Sequence, residues 1–192
     1  MNQKVNLPTG AGKSSFELID VEKFFKKLNL QKGIVFLDIA CGKGAYCLAA
    51  SSIIGPKGTV YGIDLWPEGI EHLRTAAEKK GADNIKAVVG DAGRQLPIED
   101  HTVDVCMMAT VLHDFVEDQI AEGVLDELNR VLKPAATLAV MEFKKIEGPP
   151  GPPINIRLSP EDVADMLSHY GIRKECMEDV GPYNYLMLFK RS

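Results

Sequence analysis

Val35-Phe36-Leu37-Asp38-Ile39-Ala40-Cys41-Gly42-Lys43-Gly44-Ala45-Tyr46 is the stretch that decides the fold. An apolar run ends in an acid, passes two glycines and enters the helical pattern Tyr46-Cys47-Leu48-Ala49-Ala50. That order predicts a buried strand, a tight turn and a helix. Glycine lacks a Cβ, so a ligand can lie against the backbone of such a turn. The helix N-terminus adds free N–H donors and a positive dipole end. Asp38, at the strand end, suits a cationic or hydrogen-bonding ligand group. The combination points to a nucleotide-like ligand.

Upstream, Leu18, Val21, Phe25 and Leu28 fall at helical spacing and predict a helix from Phe16 to Leu28. Before it, Gly10-Ala11-Gly12-Lys13-Ser14-Ser15 invites a phosphate-loop reading. That reading fails, because Leu7 stands in the region of the pattern's first glycine and no strand precedes it. Residues 1–15 are either a flexible arm with a helix cap at Ser14 or Ser15, or an arm folded over a ligand.

Downstream, strands and helices alternate. Strand Ile34–Ile39 leads to helix 45–54, strand Thr59–Ile63 to Asp64, and a helix runs from Pro67 to Lys80. Strand Ile85–Val89 ends at Gly90-Asp91, strand Val103–Ala109 precedes helix 117–132, and strand Thr137–Phe143 follows Pro134. Alternation of this kind implies parallel strands with crossover helices. Such sheets bind ligands at the carboxyl ends of their strands. Asp38, Asp64, Asp91 and the Ala109–Asp114 loop all fall there. Past the proline-rich segment 148–153, Ser159-Pro160-Glu161-Asp162 carries an N-cap, a first-position proline and an acid three residues after the cap. Strands Ile172–Val180 and Tyr183–Lys190 then flank Gly181-Pro182, which predicts a closing antiparallel hairpin.

The bulk composition is that of an ordinary globular chain: 192 residues, 45% hydrophobic and 26% charged. A net charge of -5 argues against broad nucleic-acid binding, which needs a basic face. The first residues carry no signal-peptide core, and no apolar run approaches the roughly 18 residues of a membrane span. Cys41, Cys47, Cys106 and Cys176 form no CxxC pair, which suits buried thiols in a reducing cytoplasm. His72, His101 and His169 show no ligand spacing, so no metal is expected.

Together these residues resemble the class I S-adenosylmethionine-dependent methyltransferase family over residues 30–190. Leu37-Asp38-Ile39-Ala40-Cys41-Gly42-Lys43-Gly44 matches its first motif, with Ala40 where glycine is usual. Asp64 matches the acid after the second strand, and Gly90-Asp91-Ala92 the third motif. The resemblance implies one domain: an arm and helix over 1–30 and a cofactor-binding core over 31–192. It implies a doubly wound, mostly parallel seven-stranded sheet, Rossmann-like, with a C-terminal antiparallel hairpin. It also implies S-adenosyl-L-methionine as cofactor. The Gly42–Gly44 turn would face its methionine and ribose part, Asp38 would lie near its charged amino-acid end, Ile39, Ala40 and Cys41 would also border it, and Asp64 would take its ribose hydroxyls. Leu65 or Trp66 would pack on the adenine. Gly90, Asp91 and Ala92 would meet its amino edge, with Ala109 at the end of the fourth strand. Ala109-Thr110-Val111-Leu112-His113-Asp114-Phe115 and Gly148-Pro149-Pro150 resemble the ubiquinone and menaquinone-biosynthesis type, which implies a small-molecule methyl acceptor.

His113 is the candidate general base, with Asp114 to orient it or to cap the next helix. The alternative for His113 is a pocket-shaping role. Lys13 and Arg157 are read as solvated surface charges or, alternatively, as anchors for an anionic substrate. Two other function classes stay open. One is a cofactor-binding protein without catalysis, a sensor or partner subunit. The other is an NAD-dependent oxidoreductase, since Asp64 lies 20 residues after Gly44. Against the latter, Cys47 stands where the third glycine belongs. A monomer or a homodimer is expected.

Overall fold

A computed structural model describes residues 12–192 of the chain. The expected arm over 1–15 lies outside the described residues except for Gly12 to Ser15. The described strands are β1 (Val35–Ile39), β2 (Thr59–Asp64), β3 (Ile85–Val89), β4 (Val103–Ala109), β5 (Leu132–Phe143), β6 (Ile172–Asp179) and β7 (Asn184–Arg191). They form one sheet in the order β3-β2-β1-β4-β5-β7-β6. β1 pairs in parallel with β2 and β4, and β4 with β5. β7 runs antiparallel to both β5 and β6. The expected seven-stranded, mostly parallel architecture with a closing hairpin is therefore present.

The helices are α1 (Val21–Leu28), α2 (Ala45–Ile54), α3 (Pro67–Lys80), α4 (Leu112–Glu117), α5 (Ala121–Val131) and α6 (Pro160–Ser168). They divide the core between the two sheet faces. Phe24, Phe36, Tyr46, Leu73 and Leu186 fill one side, and Leu112, Leu125, Leu128, Val163 and Phe189 the other. Burying side chains of this size contributes roughly 1.5–3 kcal/mol each. The capping box before α6 forms as expected: Asp162 N–H donates to Ser159 Oγ at 3.1 Å, and Ser159 N–H to Asp162 Oδ2 at 2.8 Å. Among the described residues no helix is long and apolar enough to cross a membrane.

Three predicted elements differ. The expected helix 16–28 breaks into a 3-10 turn, Phe16–Leu18, and α1. Ile19 is extended there, and Asp20 caps α1 by accepting from Lys23 N–H at 2.9 Å. Asp20 N–H also donates to Val180 O at 2.7 Å, so the break docks the chain on the β6–β7 turn. The expected helix 117–132 starts only at Ala121 as α5, and Gln119 at φ 59° parts it from α4, which ends where the expected span begins. α4 starts earlier than expected, so His113 and Asp114 sit in a helical first turn rather than a loop. Pro134 does not end the preceding segment in helix. Leu132 already begins β5, and the β4–β5 register shifts between Val103 and Val105.

Ala40 has φ +57°, the left-handed region. An L side chain there costs about 1–2 kcal/mol. Ala40→Gly is expected to raise stability by up to about 1 kcal/mol, part of the relief being offset by a more flexible unfolded chain. Urea unfolding checks it; a loss of stability would show that the Ala40 methyl, which packs against the core, outweighs the backbone strain.

Candidate functional site

The parallel strands β1, β2, β3 and β4 end on one edge of the sheet, and the turn after β1 lies at its centre. Asp38 is 1% exposed, and its Oδ2 accepts from the Cys47 thiol at 3.2 Å. Burial pushes its carboxyl up to about 7; the thiol hydrogen bond opposes this and the charge of Asp64 adds to it. Cys41 N–H donates to Ile63 O at 3.1 Å, which ties the turn to the end of β2. Asp64 then accepts Gly42 N–H at 2.7 Å and Trp66 N–H at 2.8 Å, one on each carboxylate oxygen. Each oxygen keeps a further lone pair for a ligand hydroxyl.

The two glycines of the turn serve different ends. Gly42 has φ +55°, and a Cβ there would meet nothing within 4 Å. That open space beside the Asp64 carboxylate is what a nucleoside-bearing ligand requires. Gly44 has φ +78°, and a Cβ there would stand 2.3 Å from Leu73 Cδ1. Gly44 is thus needed for packing α2 against α3, on the side away from the cleft.

The other strand ends complete the rim. Leu65 is 38% exposed, an apolar side chain free at the end of β2. Trp66 packs instead against its own helix and the arm. Its ring fills the space beside Gly69 and lies 3.4 Å from where a Gly12 Cβ would be. Lys43 Nζ stands 5.8 Å from the Trp66 ring centre. Asp91 Oδ1 accepts Gly93 N–H at 2.9 Å, and its Oδ2 pairs with Arg94 Nε at 3.2 Å. Gly90 N–H bonds Asp64 O at 2.9 Å, and Ala92 is buried beside it. Ile39 and Cys41 are buried below the turn, and Ala109 is half-buried at the end of β4. Burial holds the Cys47 and Cys106 thiols well above their ordinary value, which suits packing rather than thiol chemistry.

Gly12 to Ser15 cross this edge. Ser15 is buried, and its hydroxyl lies 3.1 Å from the Tyr46 hydroxyl and receives a hydrogen bond from Thr110 Oγ1 at 3.2 Å. Thr110 itself has φ +55° and donates its N–H to Met141 O at 2.7 Å. The described end of the arm therefore links Trp66, after β2, to Thr110, after β4.

His113 and Asp114 lie at the far side of that crossing. His113 is 4% exposed. Its Nδ1 is 2.7 Å from Glu142 Oε2, and its backbone N–H donates to Glu142 Oε1 at 3.2 Å. Nε2 stands 3.5 Å from Asp114 Oδ1. Burial opposes a charge on the imidazole, but the hydrogen bond and charge of Glu142, with the charge of Asp114, win and raise its pKa. Burial raises Asp114, and the charges of Glu142 and Asp118 add to it, against the pull of His113 and Lys13. Glu142 is absent from the sequence expectations. A polar residue near the end of a buried run was its only trace.

Arg157 corrects the expectation of a surface charge or substrate anchor. It is 3% exposed. Its Nε donates to Pro152 O at 2.9 Å. Nη1 donates to Lys144 O at 3.0 Å and Ile146 O at 2.9 Å, and Nη2 to Gly148 O at 2.8 Å and Pro150 O at 2.9 Å. A guanidinium has five N–H donors, so none is left for an anion.

The region from residue 30 to 177 matches a family described as a methyltransferase domain. A demethylmenaquinone methyltransferase of Staphylococcus aureus is 34% identical over 123 residues, 63% of this chain and 48% of that protein. The chain thus spans about half the length of the curated relatives it matches. The crystal structure of an S-adenosylmethionine-dependent methyltransferase from Aquifex aeolicus superposes with a TM-score of 0.84 at 34% identity, covering 93% of each chain. A type 11 methyltransferase structure from Sulfolobus solfataricus, itself described as putative, gives 0.72 at 25% identity over 91% of this chain and 94% of that one.

Proposed function

The chain belongs to the class I S-adenosylmethionine-dependent methyltransferase family, and from that premise we propose that it methylates a small molecule held between the end of β4 and the arm. The observation that carries this reading is the set of acids at successive strand ends around the open face of Gly42. Asp64 accepts the ribose hydroxyls on its remaining lone pairs. Leu65, rather than the already packed Trp66, offers an apolar surface to the adenine. Asp91 and the Ala92 backbone meet the adenine edge, and Asp38 the cationic amino-acid end. Ile39, Ala40, Cys41, Gly42, Gly90 and Ala109 line the backbone wall, while Gly44 supports it from behind.

Bound S-adenosylmethionine supplies a methyl group on a sulfonium, which leaves as a neutral thioether. The protein's share is to align the acceptor in line with that methyl, exclude water and receive a proton where the acceptor carries one. The His113–Asp114 pair, at the start of α4 just past the end of β4, supports this reading as the candidate proton acceptor. The name of the S. aureus relative makes a quinone-type ring the first acceptor to test.

Calorimetry is expected to show binding of S-adenosylmethionine and none of NAD. Incubation with demethylmenaquinol, then with metabolite fractions, is expected to release S-adenosylhomocysteine. Failure to bind S-adenosylmethionine would overturn the reading. Binding without release from any fraction would leave a non-catalytic sensor.

A further inference from the structure

Glu142, His113 and Asp114 form a line from the core to the cleft. Glu142, near the end of β5, is fully buried, and the His113 side chain is 5% exposed. The Asp114 side chain, in the first turn of α4, is 32% exposed. Both ring nitrogens of His113 face a carboxylate, Nδ1 at 2.7 Å and Nε2 at 3.5 Å. A neutral imidazole has one N–H and so serves one of them, leaving a lone pair aimed at the other carboxylate. An imidazolium donates to Glu142 and carries a positive charge beside Asp114. Glu142 also accepts the backbone N–H of His113, which fixes the residue itself and not only its ring.

Resting on the methyltransferase reading, we propose that Glu142 is a positioning residue that keeps His113 doubly protonated, its charge paired with Asp114, so that Asp114 and not His113 is the proton-accepting group of the site. The Phe143 ring, 6.2 Å from that of His113, closes one side of the imidazole. Three charged groups act on the imidazole: Glu142 on β5, Asp114 on α4, and Arg157 before α6, which alone opposes the charge. Besides His113, Glu142 on β5, Asp118 past the end of α4 and Lys13 in the described end of the arm act on Asp114. The accessible carboxylate is then the one that an acceptor's X–H can reach. As the X–C bond forms and the methyl–sulfur bond breaks with its pair to sulfur, the X–H proton passes to Asp114. The product carboxyl sits close enough to solvent to lose it again. The acceptor class that follows is one with an ionisable hydroxyl or acidic carbon, not a tertiary amine.

The test is a nitrogen-detected NMR titration of His113 in the ligand-free protein. Both ring nitrogens of wild type are expected to stay protonated through pH 7. Glu142→Gln is expected to lower the apparent pKa by at least one pH unit, a tenfold change in the protonation equilibrium. Glu142→Asp keeps the charge and is expected to lower it less, and it serves if the glutamine variant does not fold. Asp114→Asn is expected to lower it while leaving Nδ1–H in place. A wild-type His113 that is neutral at pH 7 with a bare Nε2 would overturn the proposal, as would a titration that Glu142→Gln leaves unmoved. Calorimetry with S-adenosylmethionine on the same samples keeps the two readings apart. Absence of binding by wild type strikes the methyltransferase reading, whereas the titration decides the role of Glu142 in either event.

Discussion

Arg157→Ala is expected to release the segment between β5 and α6 and to cost about 2–4 kcal/mol. The guanidinium organises five carbonyls, from Lys144, Ile146, Gly148, Pro150 and Pro152. Hydrogen bonds to a charged group contribute about 1.5–3 kcal/mol each when both partners are dry. The loop residues around Arg157 are mostly exposed, so water recovers part of the loss after truncation. The Phe143 ring also loses the guanidinium above it, 5.6 Å from its centre. Arg157→Lys is expected to do little better. An ammonium has three donors on one atom and cannot span carbonyls spread along a loop. Hydrogen exchange should rise over residues 144–156 in both variants while β1 and β2 keep their protection. The segment follows Glu142 directly, so acceptor turnover should fall more than cofactor affinity. Unchanged exchange in the loop would show that the prolines alone hold it.

The parallel strands and the aligned acids were legible because their signals are local. An apolar run with an acid at its end needs no partner to be recognised. Ala45–Ile54, Pro67–Lys80, Ile85–Val89 and Val103–Ala109 match their predicted bounds for that reason. The start of α4 was not legible, because Thr110 and Val111 read as strand or loop and the helix is only 6 residues long. Arg157 was misread because its partners are main-chain carbonyls, which leave no mark in a side-chain pattern. Glu142 was missed because its importance lies in a residue 29 positions away, on the far side of helix α5 in the chain. The role of Ser15 depends on Tyr46 and Thr110 meeting it, again a matter of tertiary contact. Gly42 and Gly44 looked alike in sequence, and the neighbours of their absent side chains separate them.

Asp38→Asn is expected to separate the stability of the protein from its function most sharply, and pH sets the sign. The folded carboxyl titrates at about 7 against an ordinary value of 3.8. Between those two pH values the folded state holds a proton that the unfolded state has lost. The contribution of Asp38 to stability is therefore complete below the ordinary value and is lost as pH rises through about 7. The gap corresponds to a penalty on the order of 4 kcal/mol above pH 7, when the ionised group is forced into a dry site. The amide of the variant would carry no such penalty, and its oxygen could still accept from the Cys47 thiol. The variant should unfold at higher urea than wild type at pH 8 and keep only a minor part of that advantage, on the order of 1–2 kcal/mol, at pH 5. His113, whose pKa is also raised, shifts wild type and variant alike, so the difference between them isolates Asp38. Cofactor binding should run the opposite way. A cationic amino group beside Asp38 stabilises the ionised form, so wild-type affinity should climb with pH through about 7 and level off above it. The variant should bind at least tenfold more weakly at pH 8, with little pH dependence, because the attraction of a partly buried charge pair is gone and a neutral amide replaces it. Equal affinity of variant and wild type at pH 8 would remove Asp38 from the cofactor site, and a flat difference in stability from pH 5 to 8 would show that the folded carboxyl ionises near its ordinary value.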